Sequence, residues 1–502
     1  MRVYQFRHQR LRDGQCSGAP TKVTRVRDLC AAAVDAAVAA GAGYADARAV
    51  VQRSQVVRTK NGRVDQLNDA ESEGIGVRVL VRGAWGFACD RRLTDQGARE
   101  AAARAVAFAR AAGSRDGRAL APLEARSGSF QAPVQQDPFA VSLETKVEHC
   151  LRADELLAGP DILVRQAMVR ALRDHKVFVS SEGVEVEQEL VECGGGIDCA
   201  AASEGVFQTR GYPSAHVGSS EQGGWEIVER LGLHSAAPRI AEEATALLRA
   251  PVCPQKVTTV VLDGDQVALQ VHESVGHPTE LDRVYGTEAS YAGTSFLKPG
   301  DLGSLRYGSE HMNITTDPTT PGGLGTFAFD DEGVPAARRP VVERGVLTSF
   351  LGSRETVARI GSGDCGSMRA ESWNRMPLVR MTNLHIEPGE GTLDDLLADV
   401  DDGIFMMTNK SWSIDDKRLN FQFGTQVAWE IKNGKLGRML RDATYTGITP
   451  DFWATLDAVA GPDAWRLYGI TNCGKGQPGQ SAHVSHGAAP ARFRGVQVGV
   501  AS

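Results

Sequence analysis

The chain has 502 residues, 42% hydrophobic and 23% charged, with a formal net charge of −7 at pH 7. That is enough for two or three domains with full cores, and the mildly acidic balance speaks against a nucleic-acid binder, which carries a basic stripe. No apolar run approaches the roughly 18–20 residues of a membrane span.

The opening "MRVYQFRHQRLRDGQCSGAPTK" is basic and polar and lacks the apolar core of a signal peptide. Residues 1–23 are read as a flexible extension. Nine cysteines (Cys16, Cys30, Cys89, Cys150, Cys193, Cys199, Cys253, Cys365 and Cys473) are scattered without a C-x-x-C. Odd number and wide spacing point to a reducing, cytoplasmic setting. Residues 24–40 repeat apolar side chains at helical spacing, stopped by Gly41 and Gly43. The following segment alternates, with a hairpin turn at Lys60-Asn61-Gly62. An Ala-rich helix is expected over 93–112, a linker or surface loop over "SRDGRALAPLEARSGSFQAPVQQDP", and a helix over 142–157. Several short strands are expected from 162 to 212, with a turn at "SSEG", then a helix over 237–250. A boundary near 235–255 closes an N-terminal α+β domain, 24–240. A C-terminal domain, 255–502, is expected to be mostly antiparallel β and to carry one short metal-binding helix. It opens with the strand "KVTTVVLD" and contains a meander over 403–447 with a turn at "KNGK".

The chemistry concentrates in "GDQVALQVHESVGHPTELD". A short helix is expected here with Asp265 as N-cap. On an ideal helix, residues five apart lie about 140° apart around the axis, so His272 and His277 would not share a metal. Gly276 and Pro278 flank His277, and both favour an open or broken last turn. A widened turn restores a common face for the two imidazoles. Glu273 then lies beside the metal as general base for the attacking water. A catalytic zinc takes three protein ligands. Cys473, in the polar, Gly-rich "ITNCGKGQPGQ", is the first choice for the third, with Glu280, Asp282 and His311 as alternatives.

Other polar clusters compete. His483 and His486, in "SAHVSHG", form a rival ligand pair, although strand alternation sends them to opposite sides. Asp415 and Asp416 fit a turn of the meander. Asp330, Asp331 and Glu332 fit a solvated turn better than a hard-cation site.

The segments "HESVGHPTELD", "FDDEGVPAARRPVVERGVLTSFLGSRETV", "GSMRAESWNRMPLVRMTNLHIEPGEGTLDDLL" and "NCGKGQPGQ" occur in one order. On these the chain resembles the TldD/PmbA family of metallopeptidases, within it the catalytic TldD-type subunit. The resemblance runs from about residue 24 to the end, more loosely before residue 235. It implies Zn2+ held by His272, His277 and Cys473, with Glu273 catalytic. It implies an α+β domain followed by a β-rich one, and a dimer, either with a PmbA/TldE-type subunit or with a second copy. It also implies unfolded or flexible peptides as substrates, bound as an extended strand. One of Arg369, Arg380 and Asn383 is a candidate to polarise the scissile carbonyl; a structural ion pair is the alternative for each. A non-catalytic peptide-binding subunit and an amide hydrolase of natural-product assembly are the other functions considered.

Overall fold

The computed structural model describes residues 22–499 apart from 115–117, 216–217, 292, 362–364 and 477. Almost all of the expected N-terminal extension thus lies outside the described residues. Helix α1 (Lys22–Ala39) leads into β1 (Tyr44–Lys60), β2 (Arg63–Val81) and β3 (Ala84–Asp90), then α2 (Asp95–Ala111), β4 (Arg126–Gln131) and α3 (Leu143–Leu156). Strands β5 (Ile162–Ser180), β6 (Val184–Ser203), β7 (Val206–Tyr212) and β8 (Ser219–Gln222) follow, then α4 (Trp225–Leu231) and α5 (Leu233–Leu247).

These strands form one sheet in the order β3-β2-β1-β5-β6-β4, with β7 and β8 also on β6. The β1–β2 turn falls where expected, with positive φ at Asn61 (51°) and Gly62 (76°), as a two-residue hairpin turn needs. The expected short strands of 162–212 are instead dominated by β5 and β6, of 19 and 20 residues. Small residues on these strands let neighbouring elements pack closely: Ala167 and Ala171 lie in the core under the helices, and Gly194 leaves room for β8. The loop expected before residue 138 contains β4, paired parallel to β6. Ala33, Ala37, Ala101 and Ala105 have no exposed surface and let α1 and α2 approach each other closely over β1–β3. Helices α3, α4 and α5 cover the other part of the sheet around Cys150, Val169 and Ile240. The helix expected at 237–250 starts earlier, at Leu233, with α4 directly before it.

The second half opens with β9 (Lys256–Leu262) and α6 (Gly264–Val271). Short strands β10 (Ile314–Thr316), β11 (Arg339–Glu343), β12 (Val346–Leu347), β13 (Met368–Arg369), β14 (Leu378–Val379) and β15 (Leu384–Ile386) follow. Then come β16 (Asp402–Ile414), β17 (Asn420–Lys432), β18 (Lys435–Leu440), β19 (Thr444–Ile448) and β20 (Leu456–Val459). The chain finishes with β21 (Arg466–Lys475), β22 (Gln480–Ala488) and β23 (Ala491–Val498). Strands β16, β9, β23, β19 and β17 pair in that order, and β16 pairs β17, so the sheet closes on itself. Closure leaves no free edge within the ring. Phe421, Phe423, Tyr445, Phe452 and Phe493 fill the core beside it. The architecture is α+β, an α+β layer structure followed by a largely antiparallel β half.

The acidic run 330–332 is not a solvated turn. Asp330, Asp331 and Glu332 are 2%, 6% and 1% exposed. Glu332 accepts from Arg78 at 3.1 Å, and Arg78 also holds Asp46 at 2.7 Å. Asp331 faces Lys176 at 3.5 Å, and Asp330 caps the backbone N–H groups of Glu332, Val334 and Met368. These charges bolt the two halves together. Their basic partners Lys176 and Arg78 lie 155 and 254 positions upstream, where no local pattern reveals them.

Candidate metal centre

The N-cap position of helix α6 is Asp263, at φ −67°, ψ 160° and without a side-chain capping bond, not Asp265, which lies in the first turn. Gln266 and Gln270, both buried, share the Tyr445 hydroxyl at 2.9 Å each, which fixes the helix inside the core. After Val271 the helix does not break. Residues His272–Gly276 form one π-helical turn, and the His277 N–H donates to the His272 carbonyl, five residues back. His277 keeps helical angles, φ −59° and ψ −43°, despite preceding Pro278. The turn is therefore widened, as the spacing requires, but by an inserted residue and not by an interruption. The backbone carbonyls it displaces are satisfied. Tyr307 donates to Ser274 O at 2.5 Å, and Thr279 Oγ1 reaches Val275 O and Gly276 O at 2.8 and 2.9 Å.

This turn brings His272 and His277 to a ring separation of 4.8 Å with planes at 87°. Cys473 arrives from β21, where one extra residue between Ile470 and Cys473 forms a β-bulge against β22. Its Sγ lies 3.7 Å from His277 Nε2. One donor atom each from His272, His277 and Cys473 falls within 4.8 Å of the others, and all three residues are buried.

The other ring nitrogens are tied down. His486 Nδ1 donates to Leu384 O at 2.9 Å, so its Nε2 accepts from His272 Nδ1 at 2.7 Å. His277 Nδ1 donates to Glu280 Oε2 at 3.1 Å. Both histidines are thus left with an Nε2 lone pair, the tautomer a metal would need. Burial lowers the pKa of His272 and His277 and holds both neutral. For Cys473, burial works toward a higher pKa, but the nearby charge of Arg380 is the largest effect the other way, and the thiol lies below its ordinary value. Two neutral imidazoles and an activated thiol suit a borderline-soft dication.

Glu280 and Asp282 are not with the donors; they surround the buried Lys475 at 3.1 and 2.7 Å. Burial works against ionising Glu280, yet Lys475 and His277 hold its carboxyl well below the usual range. His311 sits in an exposed loop. His483 and His486 do face opposite sides of β22: His483 meets Glu192 at 2.5 Å, while His486 orients His272. Asp415 caps Leu419 and Asn420 in the β16–β17 turn.

A cavity of about 250 Å³ opens over the donors. Glu273 lines it, its Oε2 held by Arg418 at 2.5 Å. Arg418 has φ 63°, a region few non-glycine residues adopt and one that clusters at functional sites. Sequence reasoning missed both Arg418 and the bond from His486. Arg418 stands directly after the "SIDDK" stretch, where only the carboxylates drew attention. Of the three expected carbonyl-polarising residues, none lines this cavity. Arg380 donates to the Cys473 and Gln480 carbonyls and so pins the β21–β22 hairpin. Asn383 spends its amide on Gly325, Asp317 and Thr326. Arg369 holds the carbonyls of Met381, His483 and Leu324. The ion-pair alternative does not describe them either, since their partners in these bonds are backbone groups or a hydroxyl.

Residues 45–109, 136–250 and 254–499 match, in turn, domain 1, the central domain and the C-terminal domain of the PmbA/TldA metallopeptidases. A metalloprotease of Methanothermobacter thermautotrophicus is 30% identical over 91% of this chain and 95% of its own length. One of Archaeoglobus fulgidus is 31% identical over 80% of this chain and 88% of its own. The solved structure of TldE from Thermococcus kodakarensis superposes with a TM-score of 0.71 at 13% identity, over 95% of this chain and all of that one. With sequence similarity over most of its length and family domains in order from residue 45 to 499, this chain belongs to the PmbA/TldD metallopeptidase family.

Proposed function

We propose that this chain is a catalytic, TldD-type metallopeptidase that hydrolyses peptide bonds of unfolded or flexible peptides. The observation carrying this reading is the convergence of His272, His277 and Cys473, each histidine presenting Nε2 because its Nδ1 is committed elsewhere. That donor set fits Zn2+. Held there, the dication would act as a Lewis acid toward the scissile carbonyl and the attacking water.

Glu273 supplies the proton transfer. It adjoins a ligand in sequence, lines the cavity, and is positioned by Arg418 through one oxygen only. Its carboxylate takes the proton of the attacking water and passes it to the leaving amine. Arg418 is the cation beside the reacting groups and is placed to stabilise negative charge that develops there. One wall of the cavity is β21 from Tyr468 to Gly474. A peptide laid along that wall would be held mainly through its main chain, which gives affinity with little side-chain selectivity.

The partner in this reading is a PmbA/TldE-type subunit or, failing that, a second copy; the fold shared with TldE supports it. A cytoplasmic setting agrees with the eight described cysteines, all free. No described helix is long and apolar enough to cross a membrane. Digestion of a peptide library, with and without a co-expressed PmbA-type subunit, tests the reading by mass spectrometry. Metal-dependent cleavage is expected in at least one arrangement. A metal-loaded protein that binds peptides and cuts none in either would identify a scaffold subunit instead.

A further inference from the structure

A second cavity, of about 280 Å³, lies between the first sheet and strands β13 and β22. One side chain, Arg170 of β5, lines both it and the cavity over the metal donors. Arg170 donates through Nε to Ser220 Oγ at 2.8 Å. Among the described residues it makes no ion pair. Burial pulls its pKa down, to about 10, so it is still a cation at neutral pH.

The surroundings do not neutralise it directly. In the second cavity Lys176 is matched by Asp331 and His483 by Glu192, at 3.5 and 2.5 Å. Glu192 lies within electrostatic range of Arg170, but its carboxylate is bonded to His483. Asp174 is bonded to Gln52 at 2.8 Å, and burial raises its pKa above the usual carboxylate range. Arg369, the other arginine of this cavity, is bonded to backbone carbonyls.

The position is built by the fold. Arg170 stands opposite Gly194 in the β5–β6 ladder. A Cβ at Gly194 would collide with Ser219 O and Ser220 Oγ, so glycine there lets β8 lie against β6 and bring Ser220 to Arg170. On its other side β8 meets β21, where Gly469 N donates to Ser219 Oγ at 3.0 Å. Gly469 precedes Cys473 by four positions on that strand. At about 3.3 Å per residue, the Gly469–Cys473 stretch spans at most about 13 Å, the length of about four residues of extended peptide.

We propose that Arg170 is a carboxylate receptor that selects peptides with a free carboxylate a few residues from the scissile bond. The carboxylate is the peptide's own C-terminus or an acidic side chain; a guanidinium fork binds either one. This rests on the peptidase reading of the metal centre and adds to it a preference for where the substrate ends.

The test uses the full chain, with its PmbA-type subunit where the two copurify. Three forms of one flexible peptide are compared: free acid, C-terminal amide, and amide with a glutamate near the C-terminus. Binding is measured by fluorescence anisotropy in Glu273→Gln, and cleavage sites are read by mass spectrometry in the chain with Glu273 intact. We expect the free acid to bind at least about tenfold more tightly than the plain amide, the scale of one charge-assisted contact. The glutamate form reports whether a side chain substitutes for the terminus. Arg170→Gln should collapse the acid-to-amide ratio toward one, and Arg170→Lys should keep part of it. Equal binding of all three peptides overturns the proposal, as does an unchanged ratio in a folded Arg170→Gln protein. Should that variant not fold, the ratio with Arg170 intact decides alone. If no peptide is cut yet the acid preference stands, the peptidase reading fails and the receptor survives.

Discussion

At the scale of single residues, the centre depends on groups that fix other groups. His486 touches no donor atom of the proposed metal set, yet it determines which nitrogen His272 presents. Replacing it by phenylalanine keeps an aromatic ring on β22 but removes the acceptor. His486→Phe is expected to lower metal affinity about 10–100-fold, as loss of such supporting partners does, and competition with a chelator measures this. Affinity equal to wild type would show that His272 needs no such support. The convergence of these three side chains was legible in the sequence, because both histidines lie in one short motif and Cys473 stands in a polar, Gly-rich stretch, although that stretch proves to be strand β21 and not a loop. His486 and Arg418 were not. Their roles come from β15–β22 contact and from a backbone turn, and neither leaves a local signature. Alternation did place His483 and His486 on opposite faces, but not what each face would meet.

At the scale of elements, the π turn is the device that makes the spacing work. It was half legible: five-residue spacing required a wider turn, and Gly276 and Pro278 suggested a break. The chain instead stays helical, because Tyr307 and Thr279 satisfy the displaced carbonyls. Gly276 is needed for a packing reason, since a Cβ there would overlap the Met381 sulfur. Gly276→Ala is therefore expected to cost about 1–3 kcal/mol, as overpacking does, and to reduce metal occupancy in the same protein. Urea unfolding and metal analysis check both. A fully stable, metal-replete variant would mean that Met381 moves aside freely.

At the scale of the whole molecule, the two successive halves of the chain are joined by buried charge. Arg78, 2% exposed, links Asp46 of its own sheet to Glu332 of the other half. Arg78→Ala would leave two buried carboxylates without their cation, a change that costs about 3–5 kcal/mol in comparable pairs. Denaturant unfolding should show that loss; a change below about 1 kcal/mol would mean water enters the seam. The fold class was readable from periodicity, whereas this seam was not, because its members are hydrophilic in sequence and paired only in space. The depth of the donors also bears on substrates. His272, His277 and Cys473 are each about 4% exposed, so a compact folded protein is not expected to reach them. Unfolded chains should be cut and the same proteins when folded should not. Equal rates for a stable protein and its denatured form would contradict an enclosed, strand-binding cleft.

Proton transfer by Glu273 at a metal held by Cys473 is tested by metal content and turnover measured on one preparation of Glu273→Gln, beside the original chain and Cys473→Ser. Glutamine keeps the shape of Glu273 and cannot accept the proton. About one zinc per chain is expected in Glu273→Gln with turnover reduced about 10²–10⁴-fold, and loss of zinc in Cys473→Ser. Full peptide cleavage by a zinc-replete Glu273→Gln protein would contradict proton transfer by Glu273.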